Sequence, residues 1–404
     1  MTGNTPHKAS LRPVLLFWAP LALLGTLLYR QLITLSAELP PELRENSNDL
    51  EIYRQTGEAI LRGALPYRDF FLEYPPGSLP AFIPPALFST DKASYAALFS
   101  SEMALVMVAT LVLTALAARR IEGPYAWIPA AATFAAGAIM LFPVAVTRYD
   151  AVVALSLGVA ALSFGRRYLA YASLGFGAAA KLVPALATLP LAVFRRGAAR
   201  GYATFFGVLA LFFVPALLLG GGNFAGSFAY HADRGLQIES FAASVLMQLG
   251  RVSSVVFAFG AFEAQGPDVG LASSLSFPVM CALLFVTALI MYGAHRRGDA
   301  GPRAFSRYAA ALILAFMLGS KVLSPQYVIW LLPLVPLSVG GVPGLGVSAV
   351  FLAACFLTTQ VFPIHYDDLL NLRSPGPQLL LARNLLLALL WGLMLFLPGN
   401  VRAA

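Results

Sequence analysis

The chain has 404 residues, of which 59% are hydrophobic and 11% charged, with a mean hydropathy of +0.75 and a formal net charge of +8. So apolar a composition excludes a soluble globular domain and marks a polytopic membrane protein. Its two cysteines, Cys281 and Cys355, lie inside apolar runs, and its four histidines do not cluster, which argues against a disulfide framework and against a metal centre.

Lys8 and Arg12 precede an apolar run over 13–35. The run is long and no small-residue cleavage site follows it, so it reads as a retained first span rather than a cleaved leader. Further apolar runs cover 93–118, 124–146, 150–165, 168–181, 182–194, 202–220, 271–293, 304–320, 326–340, 343–362 and 378–397. The expected fold is an all-α polytopic membrane protein, one domain over 1–404, with about twelve transmembrane helices. Several runs are too short to cross without tilt or thinning, and short proline-broken helices are tolerated where they line a cavity.

Charge sets the orientation. Alternating the spans from an inside N-terminus puts fourteen basic and two acidic residues on the inner face, a net +12. The remaining thirteen basic and seventeen acidic residues lie outside, a net −4. The basic excess is therefore a topology signal, with no role left for nucleic acid. Both termini are expected in the cytoplasm, with outer loops at 36–92 and 221–270.

The first outer loop holds the densest charge of the chain, from Asp49 and Glu51 through Arg54, Glu58, Arg62, Arg68 and Asp69 to Glu73. Asn48 followed by Glu51 reads as a capping box. Leu50, Tyr53, Gly57, Ile60 and Leu61 then fall on one helical stripe, predicting an amphipathic juxtamembrane helix with its polar face in water. Asp49 and Tyr53 share a face, and Pro75 and Pro76 end the segment just after Tyr74. A carboxylate at the head of such a helix is a candidate base at the membrane boundary.

The other polar groups fall on the same outer face. Arg148 and Asp150 stand at the lip of a span, as an interfacial ion pair or as part of a site. Lys181 is set in apolar sequence, AAAKLVP, where it either snorkels to the interface or offers a cation to a phosphate. His231, Arg234, Gln237 and Glu239 crowd one short loop, and His231 and Arg234 are spaced to share a face and to grip a phosphate oxygen. Lys321, Gln326 and Tyr327 form another cluster around Pro325. The chain lacks a phosphate-binding nucleotide loop. Soluble nucleotides are also on the other side of the membrane, so a sugar or phosphate donor has to arrive on a lipid carrier. A transporter or lipid-linked-sugar flippase would instead place charges near mid-membrane and show related halves. Here the charges crowd the outer ends and no internal repeat is seen. A non-catalytic assembly subunit, a third reading, would tolerate the loss of Asp49.

In order along the chain, DLxxY from Asp49, YPPG from Tyr74, RYD from Arg148, AAAKLVP around Lys181, HxxRGLQIES from His231 and KVLSPQYVIWLLP from Lys321 resemble glycosyltransferase family 87 of the GT-C superfamily. The resemblance runs from Asp49 to about Pro333. It implies a GT-C-like bundle and an inverting transferase of the cytoplasmic membrane. Such an enzyme moves a mannose-like hexose or a pentose from a polyprenyl-phosphate carrier to a lipid or glycan acceptor on the outer face. It implies Asp49 as the catalytic acid-base residue, and Lys181, His231 and Arg234 as donor-phosphate ligands. The remaining candidates for substrate binding are Tyr53, Tyr74, Arg148, Asp150, Gln237, Glu239, Lys321, Gln326 and Tyr327. Actinobacterial mannosyltransferases of the family carry a histidine-rich segment after the Ser-Pro pair, where this chain has Gln326 and Tyr327. No cofactor is expected. Cations from the chain suffice for a phosphate leaving group, although Asp367 and Asp368 leave a divalent ion open.

Overall fold

Apolar chain in a bilayer has to satisfy its own backbone, and the apolar runs here do so as helices. The structure, a computed structural model, describes residues 12–45, 47–89, 91–232 and 234–397, without the side chains of 12–15 and 228–232. Helix α1 (Arg12–Ala37) buries Phe17, Leu21, Leu28 and Leu32 on one stripe against α5. After the single turn α2 (Pro41–Arg44) comes the amphipathic helix α3 (Asn48–Leu61). Its cap is Ser47, whose Oγ accepts from the Leu50 amide at 3.4 Å. The Asn48–Glu51 capping box expected from sequence does not form, because Glu51 is spent on Arg54 at 2.7 Å. Leu50, Tyr53, Thr56 and Gly57 face α4 (Leu79–Phe88), while Glu51, Arg54, Glu58 and Arg62 run along the other side as a charge ladder.

Helix α5 (Lys92–Glu122) is 31 residues, about 46 Å, long. Asp91 caps it by accepting from Ser94 N at 3.0 Å, and Gly123 at φ 107° stops it. It forms the centre of the bundle, burying Phe99, Met103, Met107 and Leu111. Against it pack α6 (Trp127–Met140), α7 (Phe142–Thr147) and α8 (Asp150–Leu162), with α9 (Arg167–Ala180) beyond on α8, followed in the chain by α10 (Thr188–Phe194). Helices α8 and α9 have 13 and 14 residues, about 20 Å each against a hydrocarbon thickness of about 30 Å. They are too short to cross alone, and irregular backbone such as their breaks at Arg148–Tyr149 and at Lys181–Leu182 is tolerated at membrane depth only if it lines a cavity or is buried in protein.

The region read from sequence as a second outer loop is largely built. Helix α11 (Ala198–Ala232) runs into it, bending at Gly221 (φ 50°). A short helix α12 (Phe241–Gln248) and an antiparallel hairpin, β1 (Ser254–Ala258) and β2 (Ala261–Gln265), follow, with Phe257 paired to Phe262. Phe259 and Gly260 turn the hairpin with positive φ at both, the twist that suits a two-residue connection. Then come α13 (Val269–Arg296), α14 (Gly301–Gly319), a 3-10 segment over Pro325–Leu331, α15 (Val335–Ser338), α16 (Gly341–Thr359), α17 (Tyr366–Leu370) and α18 (Gly376–Phe396). Among the described residues, six helices are long and apolar enough to cross a membrane, and four further apolar helical stretches are shorter.

One end of the bundle is tied by arginines. Arg120 donates to the Leu162 carbonyl at 3.2 Å, Arg195 to the Gly165 carbonyl at 2.7 Å, and Arg307 to the Leu395 carbonyl at 3.0 Å, while Arg303 pairs with Glu122. The same helices, followed to their other ends, arrive at a cavity.

Candidate active site

Four backbone interruptions build the cavity wall: Glu73–Pro75 before α4, Arg148–Asp150 before α8, Lys181–Val183 after α9, and Ser320–Pro325 after α14. Together with the 234–239 segment and the hairpin they enclose about 1000 Å³. Asp49, Tyr53, Tyr74, Arg148, Asp150, Lys181, Arg234, Gln237, Glu239, Lys321, Gln326 and Tyr327 all line this space. The His231 side chain lies outside the described residues.

Asp49 projects from the first turn of α3. Its Oδ1 accepts from the Tyr74 hydroxyl at 2.7 Å and its Oδ2 pairs with Arg148 at 2.9 Å. Its side chain is 31% exposed, against 1% for Asp150, so it is the aspartate of the two that opens to the cavity. Tyr53, one turn on, shares its face but is packed flat on Phe82 at 4.3 Å and edge-on to Tyr74 and Tyr149. Burial, with Asp49's negative charge adding to it, holds the Tyr74 phenol well above its ordinary range, so it stays a hydrogen-bond donor to that carboxylate.

The local Arg148–Asp150 ion pair does not form. Arg148 reaches across to Asp49, and Asp150 turns the other way. Its Oδ1 accepts from Lys181 at 2.8 Å and from the Trp330 indole at 2.7 Å. Lys181 does not snorkel. Its Nζ lies 5.3, 5.1 and 5.2 Å from the ring centres of Tyr149, Tyr327 and Trp330, inside an aromatic cage. Such a half-buried lysine is tolerable because one carboxylate and three ring faces replace much of its water.

Arg234 pairs with Glu73 at 3.2 Å, and Lys321 donates to the Arg234 carbonyl. Desolvation pushes the Glu73 carboxyl up, against the pull of Arg234. The Gln237 amide is largely committed to the frame, donating to Ser324 Oγ at 3.1 Å and accepting from Leu323 N at 2.8 Å, so it clamps the 234–240 segment onto the 321–324 turn. Glu239 is buried, accepts from the Tyr366 hydroxyl at 3.3 Å, and is pushed up to about 7 by desolvation. Asp368 pairs with His365 at 2.9 Å. Neither Asp367 nor Asp368 lines the cavity, and among the described residues no group of three His, Cys, Asp or Glu is placed to hold a metal ion.

Sequence reasoning passed over Glu73 as a wall residue, Trp330, Tyr366 and the Arg383–Asn384 pair. Trp330 stands inside the KVLSPQYVIWLLP motif. Arg383 and Asn384 interrupt the last apolar run, and polar side chains within a span are themselves a signal of function.

Residues 71–325 match the model of glycosyltransferase family 87. No curated protein matches the chain. Among solved structures, it is similar to ArnT from Cupriavidus metallidurans bound to undecaprenyl phosphate, with 16% identity over 96% of this chain and 77% of that one, and a TM-score of 0.50. The apo state of ArnT gives 14% identity over 88% and 73%, with a TM-score of 0.48. AglB from Archaeoglobus fulgidus, in complex with an inhibitory peptide and a dolichol-phosphate, gives 12% over 89% and 56%, with a TM-score of 0.42. At 16% identity the first of these likenesses speaks for the fold alone, a GT-C-like bundle of membrane helices.

Proposed function

Since the chain belongs to glycosyltransferase family 87, we propose that its cavity moves a sugar from a polyprenyl-phosphate carrier to a hydroxyl of a lipid or glycan acceptor, on the outer face of the membrane. The observation that carries this reading is the sorting of charge inside one cavity. An ionisable carboxylate, Asp49, is open to the space, and three cations, Lys181, Arg234 and Lys321, line it with their own partners already in place.

The chemistry needs that division. A phosphate ester is a fair leaving group, so the enzyme's tasks are to hold the departing dianion and to take a proton from the acceptor. Asp49 accepts the hydroxyl proton as the acceptor oxygen bonds to the anomeric carbon. The bond from that carbon to the phosphate oxygen breaks, and its electron pair leaves on the phosphate, giving inversion. Tyr74 and Arg148 fix the carboxylate by one hydrogen bond and one ion pair. Lys181 and Arg234 are the phosphate ligands on this reading, since a fixed positive charge is worth most where water is excluded. A mannose-like hexose or a pentose is the proposed cargo.

The Asp49→Asn variant tests it. Ser47 carries the helix cap, so the substitution leaves α3 capped, and Asn retains an acceptor for Tyr74. Transfer from a polyprenyl-phosphate sugar by the reconstituted protein should fall about 10²–10⁴-fold, the usual share of a positioned base, with undecaprenyl phosphate binding kept. Transfer at the wild-type rate removes Asp49 as the base and passes the role to Glu73.

A further inference from the structure

At the wall formed by Glu239, four buried polar atoms lack a hydrogen-bond partner among the described residues: Glu239 Oε2, Arg383 Nε and Nη1, and Asn384 Oδ1. Arg383 and Asn384 are fully buried in α18, an otherwise apolar span, where they are costly. What they hold is the backbone that carries Glu239. Arg383 Nη2 donates to the Glu239 carbonyl at 3.1 Å and lies 4.0 Å from its Oε2. Asn384 Nδ2 bonds Ser244 Oγ at 3.0 Å and reaches the Glu239 and Ser240 carbonyls at 3.4 Å. Glu239 and Tyr366 both line the cavity, and the rings of Phe262 and Phe362 stand edge-on to Tyr366 at 5.9 and 5.0 Å, lining it too.

Glu239 Oε2 has Arg383 near it but no hydrogen bond among the described residues, and a buried carboxyl oxygen left so costs about 1–3 kcal/mol unless something hydrogen-bonds it. Here the carboxyl stands beside a phenol and two aromatic rings. That set matches a sugar ring, whose hydroxyls donate and accept while its C–H faces lie on aromatic surface. We propose that Glu239 and Tyr366, flanked by Phe262 and Phe362, form a subsite for the hydroxyls of a neutral, sugar-headed acceptor, and that Arg383 and Asn384 are its positioning residues. The assignment rests on the transferase reading above, because it takes Asp49 as the group that meets the acceptor hydroxyl.

The test uses the full-length protein in lipid nanodiscs with two probes, an alkyl glycoside as neutral sugar head and undecaprenyl phosphate as donor mimic, each titrated separately. Wild type should bind both. Glu239→Ala and Tyr366→Phe should each weaken the alkyl glycoside about tenfold or more, the loss of one buried hydrogen bond, and change undecaprenyl phosphate less than about twofold. Arg383→Met should weaken the glycoside similarly, and Arg383→Lys should recover part of it, which loss of packing alone does not predict. Retained undecaprenyl phosphate binding shows that a variant is folded. Glycoside affinity unchanged in both Glu239→Ala and Tyr366→Phe overturns the subsite, as does a wild type that binds undecaprenyl phosphate but no glycoside. Equal losses for the two probes overturn it too, since the wall then serves donor and acceptor alike. A wild type that binds the glycoside through Glu239 but not undecaprenyl phosphate leaves the subsite standing and removes the donor reading instead.

Discussion

Lys181 and Asp150 pair a half-buried lysine with a buried carboxylate, and the two serve different ends. Asp150 is 1% exposed and satisfied by Lys181 and Trp330; Lys181 is 20% exposed and meets the cavity. Removing the lysine leaves Asp150 charged and desolvated, which costs about 3–5 kcal/mol, whereas removing both together is often close to neutral. Lys181→Met should therefore lower thermal stability sharply, Asp150→Asn less because Lys181 still meets the cavity, and the double variant should recover most of the loss. Donor binding should not recover, because the lysine is the group proposed to meet the phosphate. Measuring melting temperature and undecaprenyl phosphate affinity across the four proteins separates the two roles. A double variant that regains both assigns the pair to folding alone.

Helix α3 carries Asp49, and its position is set by one glycine. A Cβ at Gly57 would lie 2.6 Å from the Phe82 carbonyl oxygen and 2.8 Å from the Ala86 Cβ, so α3 and α4 meet backbone to backbone there. Gly57→Ala forces them apart at a cost of about 1–3 kcal/mol. Two turns away, the carboxylate is carried off Tyr74 and Arg148, and transfer should fall about tenfold or more for a misplacement of about 1 Å. Gln55→Ala, on the exposed face, is the control and should leave transfer unchanged; a Gly57→Ala enzyme as active as that control shows that α3 does not set the carboxylate's position. The charged face of this helix was legible in sequence from the period of Glu51, Arg54, Glu58 and Arg62. Its cap was displaced by one residue, because Glu51 has a stronger partner in Arg54 than in the backbone of Asn48. Hydropathy marked the apolar runs but not their depth. Pro143 at the start of α7, Pro184 and Pro325 cut several runs into pieces too short to cross, and only tertiary placement shows that the cuts share one cavity. The hairpin around Phe259–Gly260 is hidden when 221–270 is read as an outer loop, although Val255, Val256 and Phe257 give β-branched and aromatic strand character. The site was legible as a set of polar residues on one face. Their pairing was not, since Arg148 with Asp49 and Lys181 with Asp150 join positions far apart in the chain.

Over the whole molecule, helices α9 and α14 each have a basic end and a cavity end. Helix α9 begins at Arg167 and ends before Lys181; α14 has Arg303 and Arg307 in its first turns and ends before Lys321. Arginines retained on the cytoplasmic side would thus place every cavity-lining break toward the outer leaflet, where lipid-linked sugars are presented. The orientation is open to direct measurement, and the structure selects the positions. Ser306 is fully buried and Ser47 and Ser227 nearly so, which makes them poor reporters whichever side they face. Arg62 at the end of α3 and Ala199 in the first turn of α11 are exposed. With Cys281, exposed in α13, replaced by serine, Arg62→Cys should react with a membrane-impermeant maleimide in intact cells, and Ala199→Cys only after the membrane is opened. The reverse pattern inverts the molecule. It puts Asp49 and Lys181 on the nucleotide side of the membrane and removes the reason for a lipid-carried donor.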